Sequence, residues 1–241
     1  MTKDKIFHKT SAESGSFEFN ESVARVFPNM LRRSIPGYEA SLEAIGMLVK
    51  RHAKPNTRCY DLGCSLGEST LAIRHNINVL GCEILAIDSA PAMVKACRAI
   101  MEADKHETPV SVREADIRNI KIANASIVVM NYTLQFLPIA DRQALISNIH
   151  QGMVSGGMFV LSEKISNENA VVNSLLTDLH HQFKRAQAYS DLEIDRKRTA
   201  LENILIPETE KTHIERLSKA GFQHPSIWLK YLNFISIVTI R

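Results

Sequence analysis

The sequence has little excess charge of either sign and no ordered pattern of cysteines. Its 29 basic and 26 acidic side chains leave a formal net charge of +3 over 241 residues, which gives no support for a nucleic-acid partner. The cysteines form neither a CxxC pair nor an interleaved pattern with histidine, so a zinc site or a redox dithiol has little basis. We expect reduced core thiols at Cys59, Cys64, Cys82 and Cys97.

Long hydrophobic runs are also missing. No apolar stretch approaches the ~20 residues that a membrane span needs, and the opening MTKDKIFHKT leads into polar sequence rather than a signal peptide. We therefore expect a cytoplasmic protein with no membrane contact. With 45% hydrophobic residues, the chain is long enough for a single domain, 1–241, with a well-buried core.

The sequence does contain an alternation of strand-like and helical segments. Near-continuous apolar strands such as IVVM and MFVL are typical of a parallel sheet that helices cover on both faces. The last stretch, WLKYLNFISIVTI, is split near Asn233 and predicts a hairpin at the sheet edge. These patterns predict an α/β fold with a doubly wound, mostly parallel seven-stranded sheet. The expected parallel strands are 58–63, 83–88, 110–116, 126–132 and 157–163.

Helical sequence precedes and interrupts this alternation. Residues 20–34 form an amphipathic segment with an interruption at Pro28, and a further helix is expected at 39–53. Between Ser166 and Ile206 apolar positions recur at helical spacing, so we expect inserted helices above the carboxyl ends of the strands. These apolar positions are Leu175, Leu176, Leu179 and Phe183.

The loop after the first predicted strand, YDLGCSLGEST at 60–70, has the pattern of a nucleotide-binding turn. A dinucleotide fingerprint GxGxxG would need glycines at 63, 65 and 68, but only Gly63 fits, and no Lys-Ser or Lys-Thr pair completes a P-loop. The order Asp61, Gly63, Ser65, Gly67 instead resembles motif I of class I S-adenosylmethionine-dependent methyltransferases. Ser65 departs from that motif, but it is small enough to keep the backbone near a ligand, and its hydroxyl adds a donor and an acceptor.

Polar residues end the next three predicted strands. Asp88 can accept both ribose hydroxyls of a nucleoside through its two oxygens, although acidic strand ends also arise as helix caps, a role that Ser89 can fill here. In the family with this motif, the position of Asp116 holds the adenine amino group, with the backbone N–H of Ile117 nearby; the alternative is a plain loop aspartate. Asn131 stands where residues face the methionine part. The NYTL that begins there is not the NPPY type of amino-group nucleic-acid methyltransferases.

A closer resemblance covers nearly the whole chain. The runs VFPNMLRRSIPGY, YDLGCSLGEST, NYTLQFLP, LSEK, DLHHQFKRA and KRTALEN, then AGF and a Trp-led tail with LNF, resemble the carboxy-S-adenosyl-L-methionine synthase family. Several of these runs lie outside the generic motifs, which makes the match specific. The resemblance implies that S-adenosyl-L-methionine and prephenate become carboxy-S-adenosyl-L-methionine and phenylpyruvate. It also implies a homodimer that passes its product to a tRNA carboxymethyltransferase acting on wobble uridine, with no direct binding of nucleic acid.

The same resemblance assigns ligand positions residue by residue. Ser89 stands where asparagine is frequent in the family, and Tyr132 where phenylalanine is frequent. Arg198 is expected to hold the new carboxylate through its guanidinium, in its own or a neighbouring subunit's pocket; the alternative is a solvated arginine. Tyr38 is expected to close the pocket with a phenol hydrogen bond, and the alternative is an aromatic that packs in its turn. The expected cofactor-binding residues are Tyr38, Gly63, Cys64, Ser65, Asp88, Ser89, Asp116, Ile117, Asn131 and Arg198, of which Tyr38 and Arg198 are also expected to be catalytic.

The implied chemistry is not a methyl transfer. A sulfonium polarises its methyl C–H bonds, so the deprotonated carbon can attack carbon dioxide released from prephenate where water is excluded. Aromatisation to phenylpyruvate supplies the driving force, and the same decarboxylation can generate the base. Two alternatives stay open: an ordinary methyltransferase acting on a small molecule or tRNA, and a non-catalytic S-adenosylmethionine-binding partner subunit.

The other histidines and basic residues of the insert are expected to have structural rather than catalytic roles. His180 and His181 are adjacent on a predicted helix and face apart, so we expect no metal site there. The basic residues at 184–185 and 196–198 are interleaved with acidic ones and are expected to form a solvated or interface face. The expected regions are a helical cap at 1–55, a cofactor-binding core at 56–163, a helical insert at 164–206 and a C-terminal helix with strands at 207–241.

Overall fold

The computed structural model describes Asp4 and residues 18–241. The start of the predicted helical cap, including most of the MTKDKIFHKT segment, lies outside the described residues. The helices are α1 (Glu21–Ala24), α2 (Phe27–Ser34), α3 (Tyr38–His52), α4 (Glu68–Arg74), α5 (Pro91–Ala103), α6 (Ile139–Gly152), α7 (Ala170–Ala186), α8 (Asp191–Leu201) and α9 (Glu210–Ala220). The strands are β1 (Arg58–Leu62), β2 (Glu83–Asp88), β3 (Val110–Glu114), β4 (Ala125–Asn131), β5 (Met153–Ser166), β6 (Glu208–Thr209), β7 (Gln223–Tyr231) and β8 (Phe234–Ile240).

The central sheet has the strand order β3-β2-β1-β4-β5-β8-β7. Strands β1 to β5 are parallel, β8 pairs antiparallel with β5, and β7 pairs antiparallel with β8. The predicted doubly wound, mostly parallel α/β fold with a helical insert after the fifth strand and a terminal hairpin is therefore confirmed. The short strand β6 adds a parallel pair beside the end of β5, which no sequence pattern predicted.

The central strands β1, β2 and β4 are buried because apolar side chains project from both of their faces. In β4, Val128 packs into the cluster on one face of the sheet, whereas its neighbours Ile127 and Val129 pack into the cluster on the other. Burial ends at the carboxyl end of the strand, where Asn131 is half-buried. Polar side chains at such strand ends are therefore free to face a ligand while the rest of the strand anchors the sheet.

The N-terminal helices correct one expectation. The chain does break within residues 20–34, but the break lies between α1 and α2, ahead of Pro28. Proline is tolerated in the first turn of a helix because its missing N–H would have no partner there. Pro28 thus helps to begin α2 rather than interrupting a helix.

Two strands begin several residues earlier than the sequence-based expectation. The turn expected at Gly156 is a bulge inside β5, which begins at Met153; Gly156 has a φ of 68°, and the pairing of β4 with β5 shifts register there. The terminal hairpin begins at Gln223, ahead of the Trp-led stretch that predicted it.

The inserted helices α7 and α8 lie beside the carboxyl ends of the strands, as expected. Their burial differs from the expected pattern, because Leu175 on α7 is 56% exposed while His180 and Lys184 on the same helix are buried. The most deeply buried side chains of α7 are therefore polar, while Leu176, Leu179 and Phe183 are half-buried. The four cysteines are free and buried, which confirms them as core thiols.

Candidate active site

A cavity of about 530 Å³ lies at the carboxyl ends of the parallel strands. The loops after β1 to β4, the end of β5 and the helices α2, α3, α7 and α8 all contribute side chains to it. This is where ligands bind in doubly wound sheets, and the volume lies within the range of about 300–1,000 Å³ that is usual for small-molecule sites.

The loop after β1 approaches the cavity with three residues in the left-handed backbone region. The φ angles are 84° at Gly63, 49° at Ser65 and 88° at Gly67. A Cβ atom on Gly63 would lie 2.2 Å from Oγ1 of Thr133, so only glycine fits there without a shift. Ser65 adopts a conformation that glycine prefers, with a strain of about 1–2 kcal/mol for an ordinary L-residue.

Asp61 supports this loop from inside the protein. Its carboxylate accepts the Thr70 hydroxyl at 2.6 Å and is 1% exposed, and Asp61 is not among the side chains that line the cavity. Burial raises the pKa of Asp61 to about 7, against the opposing hydrogen bond from Thr70. The residue that opens the motif therefore fixes the start of α4.

Asp88 ends β2 and lines the cavity. Its Oδ2 accepts the backbone N–H of Ser65 at 2.8 Å, and its Oδ1 accepts the N–H of Ala90 at 2.9 Å. Burial raises the pKa of Asp88, while these backbone hydrogen bonds lower it. Asp88, not Ser89, therefore supports the N-terminus of α5, and Ser89 lines the cavity instead.

Asp116 and Ile117 follow β3 at the cavity wall. The Asp116 carboxylate accepts the N–H of Arg118 at 2.9 Å and forms an ion pair with its guanidinium at 2.6 Å. The hydrogen bonds from the Arg118 side chain lower the pKa of Asp116. Asp116 is thus held ionised and oriented as a hydrogen-bond acceptor.

Asn131 provides the free hydrogen-bonding capacity at the end of β4. Its Nδ2 donates to Ser69 Oγ at 3.2 Å, whereas its buried Oδ1 has no partner among Asp4 and residues 18–241. A buried acceptor without a partner is energetically unfavourable and is well suited to receive an N–H from a ligand. Asn131 therefore brings an unpartnered amide oxygen to the wall of the cavity.

Tyr38 lies where the sequence predicted, at the cavity wall. Its hydroxyl donates to Glu68 Oε2 at 3.0 Å, and Glu68 Oε1 pairs with Arg32 at 2.7 Å. Burial, reinforced by the Glu68 carboxylate, raises the pKa of Tyr38 well above its usual value. Tyr38 is therefore a neutral hydrogen-bonding phenol.

Arg198 is the exception among the predicted site residues. Its side chain is 63% exposed on α8 and reaches Asp195 at 3.7 Å, and it is not among the residues that line the cavity of its own chain.

Cys64, which does line the cavity, has its thiol pKa raised well above the usual range by the neighbouring Cys97 and by burial. Cys64 is therefore a small wall residue rather than a nucleophile.

Sequence reasoning missed the basic side chains that line the cavity near α7 and α8. Lys184 and Lys197 were expected in a solvated face but are 8% and 6% exposed, and both line the cavity together with Lys164 and His180. Burial lowers the pKa of Lys184 to about 7 and that of Lys197 to about 8. The spacing of His180 and Lys184, four residues apart on one face of a helix, was the signal available in the sequence.

Two features are absent from the described residues, a metal-binding cluster and a membrane-spanning helix. In the part of the chain that the structure describes, no group of three or more His, Cys, Asp or Glu side chains is arranged to hold a metal ion. Within residues 18–241, no helix combines the length and apolar character needed to cross a membrane.

Comparison with known proteins first defines the class. A model of the methyltransferase domain matches residues 60–157. An O-methyltransferase family protein from Burkholderia thailandensis has a TM-score of 0.68 at 16% identity, covering 95% of this chain and 65% of that one. Human N-acetylserotonin methyltransferase, solved in complex with SAM, has a TM-score of 0.61 at 14% identity, covering 92% and 55%. The chain has the fold of the S-adenosylmethionine-dependent methyltransferase superfamily.

Full-length relatives define the family within that class. The carboxy-S-adenosyl-L-methionine synthase of Escherichia coli O127:H6 is 51% identical over 239 residues, which cover 99% of this chain and 97% of the relative. The enzyme of the same name from Klebsiella pneumoniae (strain 342) is 49% identical with the same coverage. The chain belongs to the carboxy-S-adenosyl-L-methionine synthase family of enzymes.

Proposed function

We propose that this protein converts S-adenosyl-L-methionine and prephenate into carboxy-S-adenosyl-L-methionine, phenylpyruvate and water. The observation that carries the proposal is the arrangement of Asp88, Asp116 and the unpaired Asn131 amide at three strand ends around the Gly63–Gly67 loop. The near 50% identity to enzymes named for this product supports it along the full chain.

The strand-end residues divide the recognition of S-adenosyl-L-methionine. Asp88 and Ser89 hold the ribose, and the Asp116–Ile117 segment holds the adenine. The Asn131 Oδ1 receives the ammonium group, and Tyr38 closes the methionine end of the cavity. Because Asp88 already accepts two backbone N–H groups, its orientation is fixed before the ribose arrives.

The proposed reaction balances without an oxidant or a metal. The donor loses carbon dioxide and its ring hydroxyl as hydroxide, and its ring becomes aromatic. The methyl group of S-adenosyl-L-methionine loses one proton and gains the carboxyl group, and that proton and the hydroxide form water. The protein contributes position and a low-water environment, for which apolar side chains such as Tyr132, Phe234 and Leu201 line the cavity.

Arg198 fits this function if a second copy of the chain supplies it. Its exposed side chain cannot pair with a carboxylate in its own cavity without moving, whereas an exposed guanidinium can reach a partner. The same insert exposes Val171, Leu175 and Leu192, which are 78%, 56% and 55% exposed. We therefore propose a homodimer in which each subunit contributes Arg198 to the other's pocket.

The fate of the product follows from its chemistry. A carboxymethyl group on a sulfonium is a transferable group, and we propose that a tRNA carboxymethyltransferase uses it to modify wobble uridine. The small net charge gives no reason for this chain to bind tRNA itself. The cytoplasm remains the predicted location of the protein.

The test is mass spectrometry of the small molecules after incubation of the purified protein with S-adenosyl-L-methionine and prephenate. A cofactor that carries a carboxyl group in place of one hydrogen, together with phenylpyruvate, is expected. S-adenosylhomocysteine would instead indicate a conventional methyltransferase. Unchanged cofactor and no phenylpyruvate would indicate a non-catalytic binding subunit.

A further inference from the structure

The β5 side of the cavity carries a cluster of amines that the recognition of S-adenosyl-L-methionine does not use. Lys164 lies near the end of β5, and Lys184 and Lys197 come from α7 and α8. Lys197 donates to Ser34 Oγ at 2.8 Å. For Lys164 and Lys184, no carboxylate of Asp4 or residues 18–241 forms an ion pair with the side-chain amine, although Lys184 is only 8% exposed. Buried amines that face a cavity without a counter-ion are suited to bind an anion.

A row of aromatic rings connects the methionine end of the cavity to these amines. The ring centroids of Tyr38 and Tyr132 are 6.3 Å apart, those of Tyr132 and Phe234 are 6.0 Å apart, and those of Phe234 and His180 are 4.9 Å apart. His180 lies one helical turn before Lys184 on α7, and Lys164 pairs with Phe234 between β5 and β8. The row therefore leads from Tyr38 to the amines across an apolar surface.

This geometry fits a molecule with a six-membered carbon ring and a carboxylate at one end. The carboxyl donor has two carboxylates, of which one is lost and one remains in the product. A cation that holds the leaving carboxylate stabilises the ground state and slows decarboxylation, whereas a cation on the retained carboxylate only positions the donor. The lysines are thus suited to bind the retained carboxylate, and the row of aromatic rings is suited to contact the donor ring and the leaving carboxylate.

We propose that Lys164 and Lys184 form the subsite that binds the 2-oxo carboxylate of the carboxyl donor, with the donor ring over Tyr132 and Phe234. This inference rests on the proposed function, because it assigns the second substrate of that reaction to a place in the same cavity. The neighbouring charges agree with it. Burial, and then the repulsion from Lys197 and Lys164, lowers the pKa of Lys184, and an arriving carboxylate relieves that repulsion.

The test compares Lys184→Met and Lys164→Met with the exposed control Lys211→Met. Methionine keeps the length of the side chain and removes the amine, so the fold is retained. We expect the KM for prephenate to rise about ten- to hundredfold in each lysine variant, the usual value of a charge-assisted hydrogen bond, while the Kd for S-adenosyl-L-methionine stays unchanged. Phenylpyruvate, which carries only the retained carboxylate, should inhibit both variants more weakly by a similar factor. The control should match the wild type.

Each other outcome overturns the assignment. Weakened prephenate binding with unchanged inhibition by phenylpyruvate would show that the lysines bind the leaving carboxylate instead of the retained one. An unchanged KM for prephenate, or an equal loss of S-adenosyl-L-methionine binding, would show that the lysines do not form this subsite. Neither result would contradict the proposed function. If the wild type forms no phenylpyruvate, the proposed function fails. In that case, calorimetric binding of phenylpyruvate in the presence of S-adenosyl-L-methionine tests the subsite independently. Weaker binding to Lys184→Met than to the wild type would support the subsite, and equal binding would contradict it.

Discussion

The Asp88 carboxylate accepts the backbone N–H of Ser65 at 2.8 Å, which joins the end of β2 to the glycine-rich loop after β1. The same carboxylate accepts the Ala90 N–H through its other oxygen. Ser65 is therefore held at a φ of 49° by a charged acceptor. This contact explains how a serine can stand where the motif usually has glycine.

Substitution of Ser65 tests this explanation. Ser65→Gly should leave the Kd for S-adenosyl-L-methionine within about threefold of the wild type, because glycine adopts a positive φ without strain. Ser65→Val should lower the free energy of unfolding by about 1–3 kcal/mol, because a β-branched side chain is strained in the left-handed region. Urea unfolding and equilibrium binding measure the two effects.

The matched control is Ser111→Val, which places the same side chain on the extended edge strand β3. It should leave the free energy of unfolding within about 0.5 kcal/mol of the wild type, as is usual for surface changes. Equal losses at Ser65 and Ser111 would show that backbone strain is not the cause.

Removal of the Asn131 amide should separate binding from stability. In Asn131→Leu, the Kd for S-adenosyl-L-methionine should rise about ten- to hundredfold, because the acceptor for the ammonium group is gone. The free energy of unfolding should stay within about 1 kcal/mol, because the loss of the long hydrogen bond from Nδ2 to Ser69 Oγ is offset by removal of the buried Oδ1, which has no partner in the described part of the protein. Asn131→Asp keeps an acceptor and should bind more tightly than Asn131→Leu; equal binding by the two variants would contradict the assigned role.

The fold and the ligand cradle were predictable because each depends on local sequence. Apolar runs predict the buried strands β2 and β4, which end at Asp88 and Asn131, and Asp116 follows the edge strand β3. The meeting of these residues at one edge of the sheet comes from parallel topology alone. The lysines were not predictable in this way. Whether Lys184 faces solvent or the cavity depends on how α7 rotates against α2 and β8, which tertiary packing decides.

The same limit explains the other differences. The bulge at Gly156 was expected as a turn, because a glycine pair predicts both, and only the pairing with β4 distinguishes them. The exposure of Arg198 beside the buried Lys197 depends on the rotation of α8, and a run of basic letters does not encode that rotation.

His213 on α9 should make the protein sensitive to acid. It is 1% exposed, and neither ring nitrogen has a hydrogen-bond partner within the described residues. Burial and then Arg216 lower its pKa to about 4, below the unfolded value near 6.5. The unfolded state therefore binds more protons between pH 6.5 and 4, and stability falls as the pH is lowered through that range, by up to about 1.4 kcal/mol per pH unit.

The variant His213→Leu removes this loss. We expect its free energy of unfolding to exceed that of the wild type by about 1–3 kcal/mol at pH 7 and by more at pH 5, measured with urea at both values. The control is His224→Asn at an exposed position with positive φ, which asparagine tolerates, and it should follow the wild type. A constant difference between His213→Leu and the wild type at both pH values would contradict the assigned titration.

The lysine subsite predicts a pH profile for the KM of prephenate. The pKa of Lys184 is about 7, lowered by burial and by the facing amines of Lys197 and Lys164. Above pH 7 this amine loses its proton and can no longer pair with a carboxylate. The KM of the wild type should therefore rise about tenfold per pH unit above 7 until it reaches that of Lys184→Met. Lys184→Met should show a much flatter profile from pH 6.5 to 9, and a rise as steep as that of the wild type would contradict the role of this amine.

Arg198 gives a prediction that distinguishes its own pocket from a neighbour's. Arg198→Ala should weaken the binding of carboxy-S-adenosyl-L-methionine far more than that of S-adenosyl-L-methionine, because only the product carries the added carboxylate. Equal losses for both ligands would contradict this role, and the control Arg185→Ala, at another exposed arginine of the insert, should change neither.

Mixing of Arg198→Ala and Asn131→Leu, assayed at an S-adenosyl-L-methionine concentration at which each variant alone is nearly inactive, then locates the arginine. When Arg198→Ala and Asn131→Leu subunits are unfolded together and refolded, a mixed dimer has one site with an intact Asn131 and an intact Arg198 from the partner copy. If the arginine acts across the dimer, random assortment restores about a quarter of the wild-type activity. If it acts within its own chain, every site lacks one of the two groups and the mixture stays inactive, which would overturn the proposed exchange of Arg198 between subunits.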